Sequence, residues 1–162
     1  MSPIVRLDSI ERGAPELAEH SLVASVFKLG RDLRTLIDRE LAGHGITTQQ
    51  AALMLVTRLH GGHVVGHLAD PLGTDTAGLT RLVDRLEAKG LVARSASPSD
   101  RRAVVLELTP AGCALLPDLV AAFKHAHERL LEGIEESEIE QFRATMRRLR
   151  DNLRASAGEA GA

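Results

Sequence analysis

The chain has 162 residues and a formal net charge of −2, so it lacks the overall basic balance of a generic nucleic-acid binder. One cysteine excludes an intrachain disulfide framework, and three Phe with no Trp or Tyr are too few for base-stacking surfaces of the single-strand-binding kind. The sequence shows no basic region followed by an apolar leader and no membrane-spanning apolar run, so we expect a cytoplasmic protein.

The first half of the chain predicts three helices. Apolar residues recur at helical spacing from Leu22 to Leu41, which predicts one long helix over residues 15–44. The stretch TTQQAALMLVTRLHGG predicts a shorter helix with Thr47 or Thr48 as N-cap and two glycines at its end. HVVGHLADPLG predicts a brief third helix, because Pro71 disfavours helix at the residue before it.

A fourth helix begins after Asp75, a good N-cap, and ends before Gly90. Its inner apolar stripe is formed by Leu79, Leu82, Val83 and Leu86. The residues left facing outward are Thr76, Ala77, Thr80, Arg81 and Asp84.

The second half predicts a hairpin and two further helices. LVARS and AVVLELT are short β-prone runs joined by the polar turn ASPSDRR. Helices follow over about residues 110–134 and 137–155, and we expect Pro117 to kink or break the first of them. The predicted fold is mainly α with a small β-hairpin wing. It is one domain, residues 1–162, with a winged helix-turn-helix over 46–109 and dimerisation helices over 15–44 and 110–155.

Positive charge is concentrated in the fourth helix and the hairpin. Between Thr76 and Val105 there are six basic and three acidic residues, a net charge of +3, so the rest of the chain carries −5. A local basic surface on an acidic body suits an anionic partner at one face. The helix is narrow enough for the DNA major groove, and hairpin arginines can reach an adjacent groove. The pattern therefore predicts binding of double-stranded DNA.

The stretch LTRLVDRLEAKGLVAR, followed by DRRAVVLELTPAG, resembles the recognition helix and wing of the MarR (multiple antibiotic resistance regulator) family of bacterial transcription factors. The family's wing pattern is matched by Asp100, Arg102, Leu108 and Thr109. The resemblance implies a homodimer that binds a pseudo-palindromic operator in promoter DNA and is released by a small-molecule effector, most often as a repressor. It also implies that Arg102 enters the minor groove and that Asp100 orients it.

The candidate DNA-contacting residues are Thr76, Ala77, Gly78, Thr80, Arg81 and Arg85 on the helix and Ser99, Asp100, Arg101 and Arg102 in the wing. Gly78 stands where the family often has a larger polar side chain, so one contact is expected to be absent. Arg85 has a second interpretation, as a brace of the wing through Asp100. In another alternative, the helix arginines pair with Asp84 and Glu87 of the same helix.

Two other functions are alternatives to DNA binding. An enzyme is not expected, because the sequence shows no nucleophile with its base and no phosphate-binding loop, and no cofactor is implied. A winged-helix protein-interaction module is the main alternative, since a fold alone does not dictate function. Such a module is expected to carry apolar groups or mixed charge at the wing tip.

The histidines and the cysteine raise smaller questions. His63 and His67 are four residues apart and can share a helix face, which allows a metal-responsive regulator as a further alternative. The zincin pattern is missing, so we expect no metal. Cys113 is interpreted as a structural thiol. We expect an effector pocket lined by the polar residues Arg31, Arg34, His44 and His67.

Overall fold

The computed structural model describes residues 21–60, 68–69, 72–96 and 104–159. These residues contain helices α1 (Leu22–Glu40), α2 (Thr48–His60), α3 (Thr76–Ala88), α4 (Pro110–Leu131) and α5 (Glu136–Glu159), and strands β1 (Val92–Ala96) and β2 (Val104–Leu108). The chain divides into two compact units, Met1–Ala126 and His127–Ala162. The order of helices around one antiparallel hairpin confirms the predicted mainly α, winged helix-turn-helix fold.

Helix α1 ends earlier than predicted. Residues 15–20 of the predicted helix lie outside the described residues, and the α-helix stops at Glu40. A short 3-10 turn, Ala42–His44, follows, and Gly45 adopts the left-handed conformation with φ of 63°. A positive φ strongly favours glycine, which lets the chain turn away from the α1 axis here. The prediction of one helix continuing to residue 44 is therefore wrong at this end.

The start of α2 is held by two sets of side-chain hydrogen bonds. The Thr47 amide donates to Gln50 Oε1 at 3.1 Å, and the Gln50 amide donates to Thr47 Oγ1 at 3.4 Å. This reciprocal pair satisfies amides that the first helical turn leaves unbonded. Asp38 of α1 accepts from the Thr48 amide at 2.6 Å and from its hydroxyl at 2.7 Å. A carboxylate at a helix N-terminus is stabilising, so Asp38 also joins α1 to α2.

Helix α3 matches its prediction closely. The Asp75 side chain accepts a hydrogen bond from the Gly78 amide at 2.5 Å, and Gly90 follows the helix with φ of 68°. All four residues of the predicted inner stripe are buried. They join a core that also contains Leu41, Leu53, Met54, Leu106 and Leu119. The brief helix predicted before α3 falls largely outside the described residues, although Leu68 is buried in the same core.

The predicted hairpin is present, with β1 and β2 paired antiparallel. The register places Val92 opposite Leu108, Arg94 opposite Leu106, and Ala96 opposite Val104. Val92 and Leu106 are buried, so one face of the hairpin belongs to the core. Residues 97–103, which form most of the predicted turn and its tip, lie outside the described residues.

Helix α4 continues without interruption through Pro117, so the predicted break is not observed. A proline removes one backbone hydrogen bond from the helix. The helix compensates by burying Leu119, Ala122 and Ala126, and burial of apolar area favours the continuous helix. In the second unit, α5 begins at Glu136 and Ile139 is buried. Among the described helices, none combines the length and the apolar character required to cross a bilayer.

Candidate nucleic-acid interface

The outward face of α3 carries the predicted polar side chains. Thr76, Ala77, Thr80, Arg81 and Arg85 are exposed, and Gly78 is half-buried. The two arginines are four residues apart, about one helical turn, and therefore lie on the same side of the helix. The exposed face confirms the orientation derived from the inner stripe, whereas contact of these residues with DNA stays a prediction.

A concave polar surface lies at the beginning of α3. Its volume is about 390 Å³, and it is lined by Gln49, Gly73, Thr74, Asp75, Gly78, Arg81, Leu82 and Arg85. The structure thus brings three predicted residues together with Gln49 of α2, which the sequence interpretation missed. The sequence feature that could have indicated Gln49 is the pair of adjacent glutamines, Gln49 and Gln50, at the start of a predicted helix. The direction of Gln49 depends on how α2 packs against α3, which periodicity does not specify.

The missing side chain at Gly78 has a local structural reason. A Cβ atom at this position would overlap Thr74 Oγ1 and would lie 2.9 Å from Asp75 Oδ1. Real Cβ atoms essentially never come this close to another heavy atom. The side chains that precede and cap α3 therefore occupy the space that a larger residue would need. Gly78 can offer a DNA partner only its backbone and the close approach that a small residue permits.

Two basic residues between Thr76 and Val105, Lys89 and Arg94, form hydrogen bonds to other parts of the chain. Lys89 Nζ donates to the Gly45 carbonyl oxygen at 2.5 Å and to Gln50 Oε1 at 3.2 Å. Lys89 therefore joins the end of α3 to the start of α2. The number of basic residues from Thr76 to Val105 is larger than the number whose side chains are free to bind a partner on the outer face.

Arg94 of β1 is the second internally bonded cation. Its guanidinium donates to Glu87 Oε2 at 2.5 Å and to Asp84 Oδ1 at 2.6 Å. The hydrogen bond to Asp84, aided by the charges of both carboxylates and opposed by desolvation, raises the pKa of Arg94 above its ordinary value. A raised arginine pKa keeps the Arg94 guanidinium charged throughout the neutral pH range. The alternative in which Asp84 and Glu87 pair with arginines of their own helix is wrong.

The cations that remain on the outer face of α3 are Arg81 and Arg85. Neither forms an ion pair within the described residues. The predicted wing residues Ser99, Asp100, Arg101 and Arg102 lie outside the described residues. Their DNA contacts, and the proposed bracing of the wing by Arg85 through Asp100, stay predictions.

Thr109 has a structural role that the wing pattern alone did not reveal. Its hydroxyl donates to the Gly90 carbonyl oxygen at 2.6 Å and accepts from the Gly112 amide at 3.1 Å. Its amide donates to the Leu91 carbonyl oxygen at 3.1 Å. Thr109 therefore caps α4 and ties the start of that helix to the segment that leaves α3, which fixes both ends of the hairpin relative to the candidate DNA-facing helix.

Two described histidines pair with single carboxylates. His44 Nε2 lies 3.6 Å from Asp118 Oδ2, and His125 Nδ1 lies 3.0 Å from Glu40 Oε1. Within the part of the chain that the structure describes, no group of three or more His, Cys, Asp or Glu side chains is placed to hold a metal ion. His63 and His67 lie outside that part, so their pairing is not described.

A separate groove of about 700 Å³ lies between α2, β2 and the first turns of α4. It is lined by Thr57, Arg58, Leu106, Glu107, Leu108, Cys113 and Leu116. The Thr57 hydroxyl is buried and has no hydrogen-bond partner among the described residues, whereas Cys113 is exposed. The pocket residues predicted from the sequence that are described here, Arg31, Arg34 and His44, do not line this groove.

The chain is similar in sequence and in structure to known proteins. The model of the MarR family matches residues 44–103, which contain α2, α3 and the surface formed by Gln49, Arg81 and Arg85. The crystal structure of MarR is 28% identical, with a TM-score of 0.70, over 87% of this chain and 96% of that one. Residues 44–103 of this chain are thus similar to the MarR family. The resemblance stated from the recognition helix and wing is confirmed.

Two further solved structures resemble this chain. CouR from Rhodococcus jostii RHA1, solved with p-coumaroyl-CoA bound, is 27% identical with a TM-score of 0.74, covering 82% of this chain and 93% of CouR. The structure of the S. aureus MepR–DNA complex gives a TM-score of 0.78 over 83% of this chain and 98% of MepR. At 21% identity, MepR shows a shared fold. We name α3 the recognition helix and the hairpin of β1 and β2 the wing, after the family pattern that they resemble.

Proposed function

We propose that this protein is a dimeric, sequence-specific DNA-binding transcriptional regulator of the cytoplasm, a repressor that a small-molecule ligand releases from promoter DNA. It acts by binding and not by catalysis. The observation that carries the proposal is the outer face of the recognition helix, where Arg81 and Arg85 lie beside Gln49 at a concave polar surface. An α-helix fits the major groove, and arginine there recognises guanine through two hydrogen bonds. MepR, which shares the fold, was solved bound to DNA.

Each DNA-facing element has a proposed task. The recognition helix would read base edges in the major groove through the region from Thr76 to Arg81, with Arg85 on phosphate or beside the wing. The wing would place Arg102 in the minor groove, oriented by Asp100, while Ser99 and Arg101 contact the backbone. Phosphate contacts position a protein on the duplex and base contacts specify the sequence.

A dimer follows from apolar side chains that the described chain leaves exposed. On α1 these are Leu22, Val23, Val26, Phe27 and Leu29, and on α5 they include Phe142 and Leu153. Only the first part of the apolar stripe of α1 is exposed. Further along, Leu33 and Leu36 pack against the chain's own core, and Leu41 is fully buried. An exposed apolar patch of this kind marks an interaction surface, and a twofold axis lets one patch cover its copy. We propose residues 1–162 as a single domain that dimerises through its terminal helices.

We expect the protein to sediment at micromolar concentration with about twice the mass of one chain. Phe27→Asp should shift it toward the monomer, because Phe27 is 75% exposed on the α1 patch and a buried unpaired charge is costly. Leu59→Asp is the matched control, since Leu59 is 80% exposed on α2, outside the terminal helices. A folded wild-type monomer at this concentration, or equal mass changes in the two variants, would contradict the proposed interface.

The groove lined by Thr57 offers space for the proposed effector. Its volume of about 700 Å³ lies within the range of roughly 300–1,000 Å³ that is usual for small-molecule sites. The buried Thr57 hydroxyl lacks a partner among the described residues, and a ligand atom would relieve that cost. The groove contacts the wing strand β2 and the start of α4, so a ligand there would act on the wing. CouR provides the precedent of a small ligand, p-coumaroyl-CoA, in a related fold.

Selection of fragments from the source genome tests the proposed function. Purified protein should retain a small set of fragments that share an inverted repeat, and a shuffled duplex of equal composition should bind roughly a thousandfold more weakly. If all fragments are retained in proportion to their length, binding does not depend on sequence, which would contradict the proposed sequence-specific regulator. Absence of any duplex binding would favour the protein-interaction module.

A further inference from the structure

Arg94 joins the wing to the recognition helix through three hydrogen bonds. Its two terminal nitrogens reach Glu87 Oε2 and Asp84 Oδ1 at 2.5 and 2.6 Å, and its backbone amide donates to Glu87 Oε1 at 3.1 Å. The Arg94 side chain is 30% exposed, and those of Asp84 and Glu87 are 56% and 35% exposed. We call this group the Arg94 clasp. It is partly shielded from water, so its charges interact more strongly than fully solvated ones.

The clasp lies beside the arginines proposed to meet DNA. Asp84 follows Arg81 by three residues and directly precedes Arg85, and residues three apart are neighbours on a helix surface. Without another partner, the Asp84 carboxylate is placed to bind Arg81 or to repel an approaching phosphate. In the structure it is bound to Arg94 instead, while Arg81 and Arg85 form no ion pair within the described residues.

The other charged groups of the region do not perform this task. Lys89, one turn beyond Arg85, is bonded to the Gly45 carbonyl and to Gln50. Gln49, across the concave surface, is uncharged. On β2, Glu107 accepts from Ser95 Oγ at 3.2 Å. Arg94 is therefore the cation that the described structure provides for both acidic side chains of the recognition helix.

We propose that Arg94 is a positioning residue for DNA binding: it withdraws Asp84 and Glu87 from the DNA-facing arginines and fixes the wing strand to the recognition helix. Arg94 itself does not contact DNA in this proposal. The inference rests on the proposed function and identifies which internal contact keeps the binding face cationic. The clasp carries one positive and two negative charges, so loss of the Arg94 charge makes the face more negative by one unit in each protomer.

The test compares Arg94→Gln with Arg94→Gln/Asp84→Asn on the selected genomic duplex. The first variant should bind roughly tenfold more weakly at about 50 mM salt, and the loss should shrink at about 200 mM because screening shortens the range of the repulsion. The second variant restores the wild-type net charge beside the arginines and should recover to within about threefold of wild type. Asp84→Asn alone, with Arg94 retained, should bind more tightly than wild type. Arg39→Gln, an equal charge change on α1, should have little effect.

Each outcome decides between the proposals. Wild-type affinity in Arg94→Gln would overturn the inference while leaving the proposed function intact. A loss that is independent of salt and is not recovered in the double variant would show a purely structural role for Arg94 and would also overturn it. If Arg94→Gln does not fold, Asp84→Asn still decides, because it makes the binding face more positive by one unit: unchanged or weaker binding would show that the net charge of the clasp does not affect DNA affinity, and would overturn the inference. Wild-type protein that binds no duplex would instead refute the proposed function.

Discussion

Gly112→Ala should destabilise the protein by about 2 to 4 kcal/mol, which lowers Tm by roughly 5 to 15 °C. Gly112 is buried in the first turn of α4, and a Cβ there would overlap the Leu91 carbonyl oxygen and lie 3.1 Å from the Leu91 carbonyl carbon. This obstacle is backbone and cannot rotate away. The same carbonyl already accepts from the Thr109 amide, so the added methyl group must displace the junction between α3, the hairpin and α4.

Gly43→Ala is the matched control for this prediction. Gly43 is exposed in the 3-10 turn, and a Cβ built on it meets nothing within 4 Å. The substitution should be neutral or stabilise by up to about 1 kcal/mol, because alanine has less backbone freedom to lose. Thermal unfolding followed by circular dichroism compares the two variants with wild type. Equal Tm values for both would show that α4 does not pack closely on Leu91.

Arg81→Ala should weaken binding to the selected duplex by about 1 to 3 kcal/mol and reduce discrimination against a shuffled duplex. Arg81 is exposed on the proposed major-groove face, so its loss removes a contact that depends on the bases. Arg102→Ala should weaken binding to both duplexes more evenly, with a dependence on A·T content, because a narrow minor groove concentrates negative potential. The first substitution mainly affects specificity and the second mainly affinity.

The two arginine variants act as controls for each other. Arg81 is exposed, and Arg102 belongs to the predicted polar turn, so we expect both variants to keep the wild-type Tm and dimer mass. Titrations against both duplexes at one fixed salt concentration separate the effects. Equal losses for the two variants on every duplex would contradict the proposed division of labour between helix and wing.

Features that depend on a few consecutive residues were predictable from the sequence. Asp75 caps α3, Gly90 follows it with positive φ, and the inner stripe is buried. Capping and periodicity are local properties, so a single sequence contains the required information. The outward face of the recognition helix followed directly from them.

Features that depend on tertiary partners were not predictable in the same way. The charge count includes Lys89 and Arg94 in the basic surface, yet both are bonded to other segments of the chain. Charge counting gives the number of cations and not the direction of their side chains. Thr109 was matched to a family pattern, but its bonds to Gly90 and Gly112 became apparent only when the ends of α3 and α4 were placed together. Helix α4 likewise continues through Pro117 because its following residues are buried in the core. The rules for proline consider only neighbouring residues, so they do not include this burial.

The salt dependence of binding to the selected duplex tests the central claim most directly. If Arg81, Arg101 and Arg102 of two protomers lie on the DNA and each displaces about one condensed counterion, the logarithm of the association constant should fall against the logarithm of salt concentration with a slope of roughly −5. The slope should become less steep by about 2 in an Arg102→Ala dimer, since two cations no longer displace counterions from the DNA. A wild-type slope near zero would contradict the account, because it would show that the basic surface of the recognition helix and wing does not face DNA.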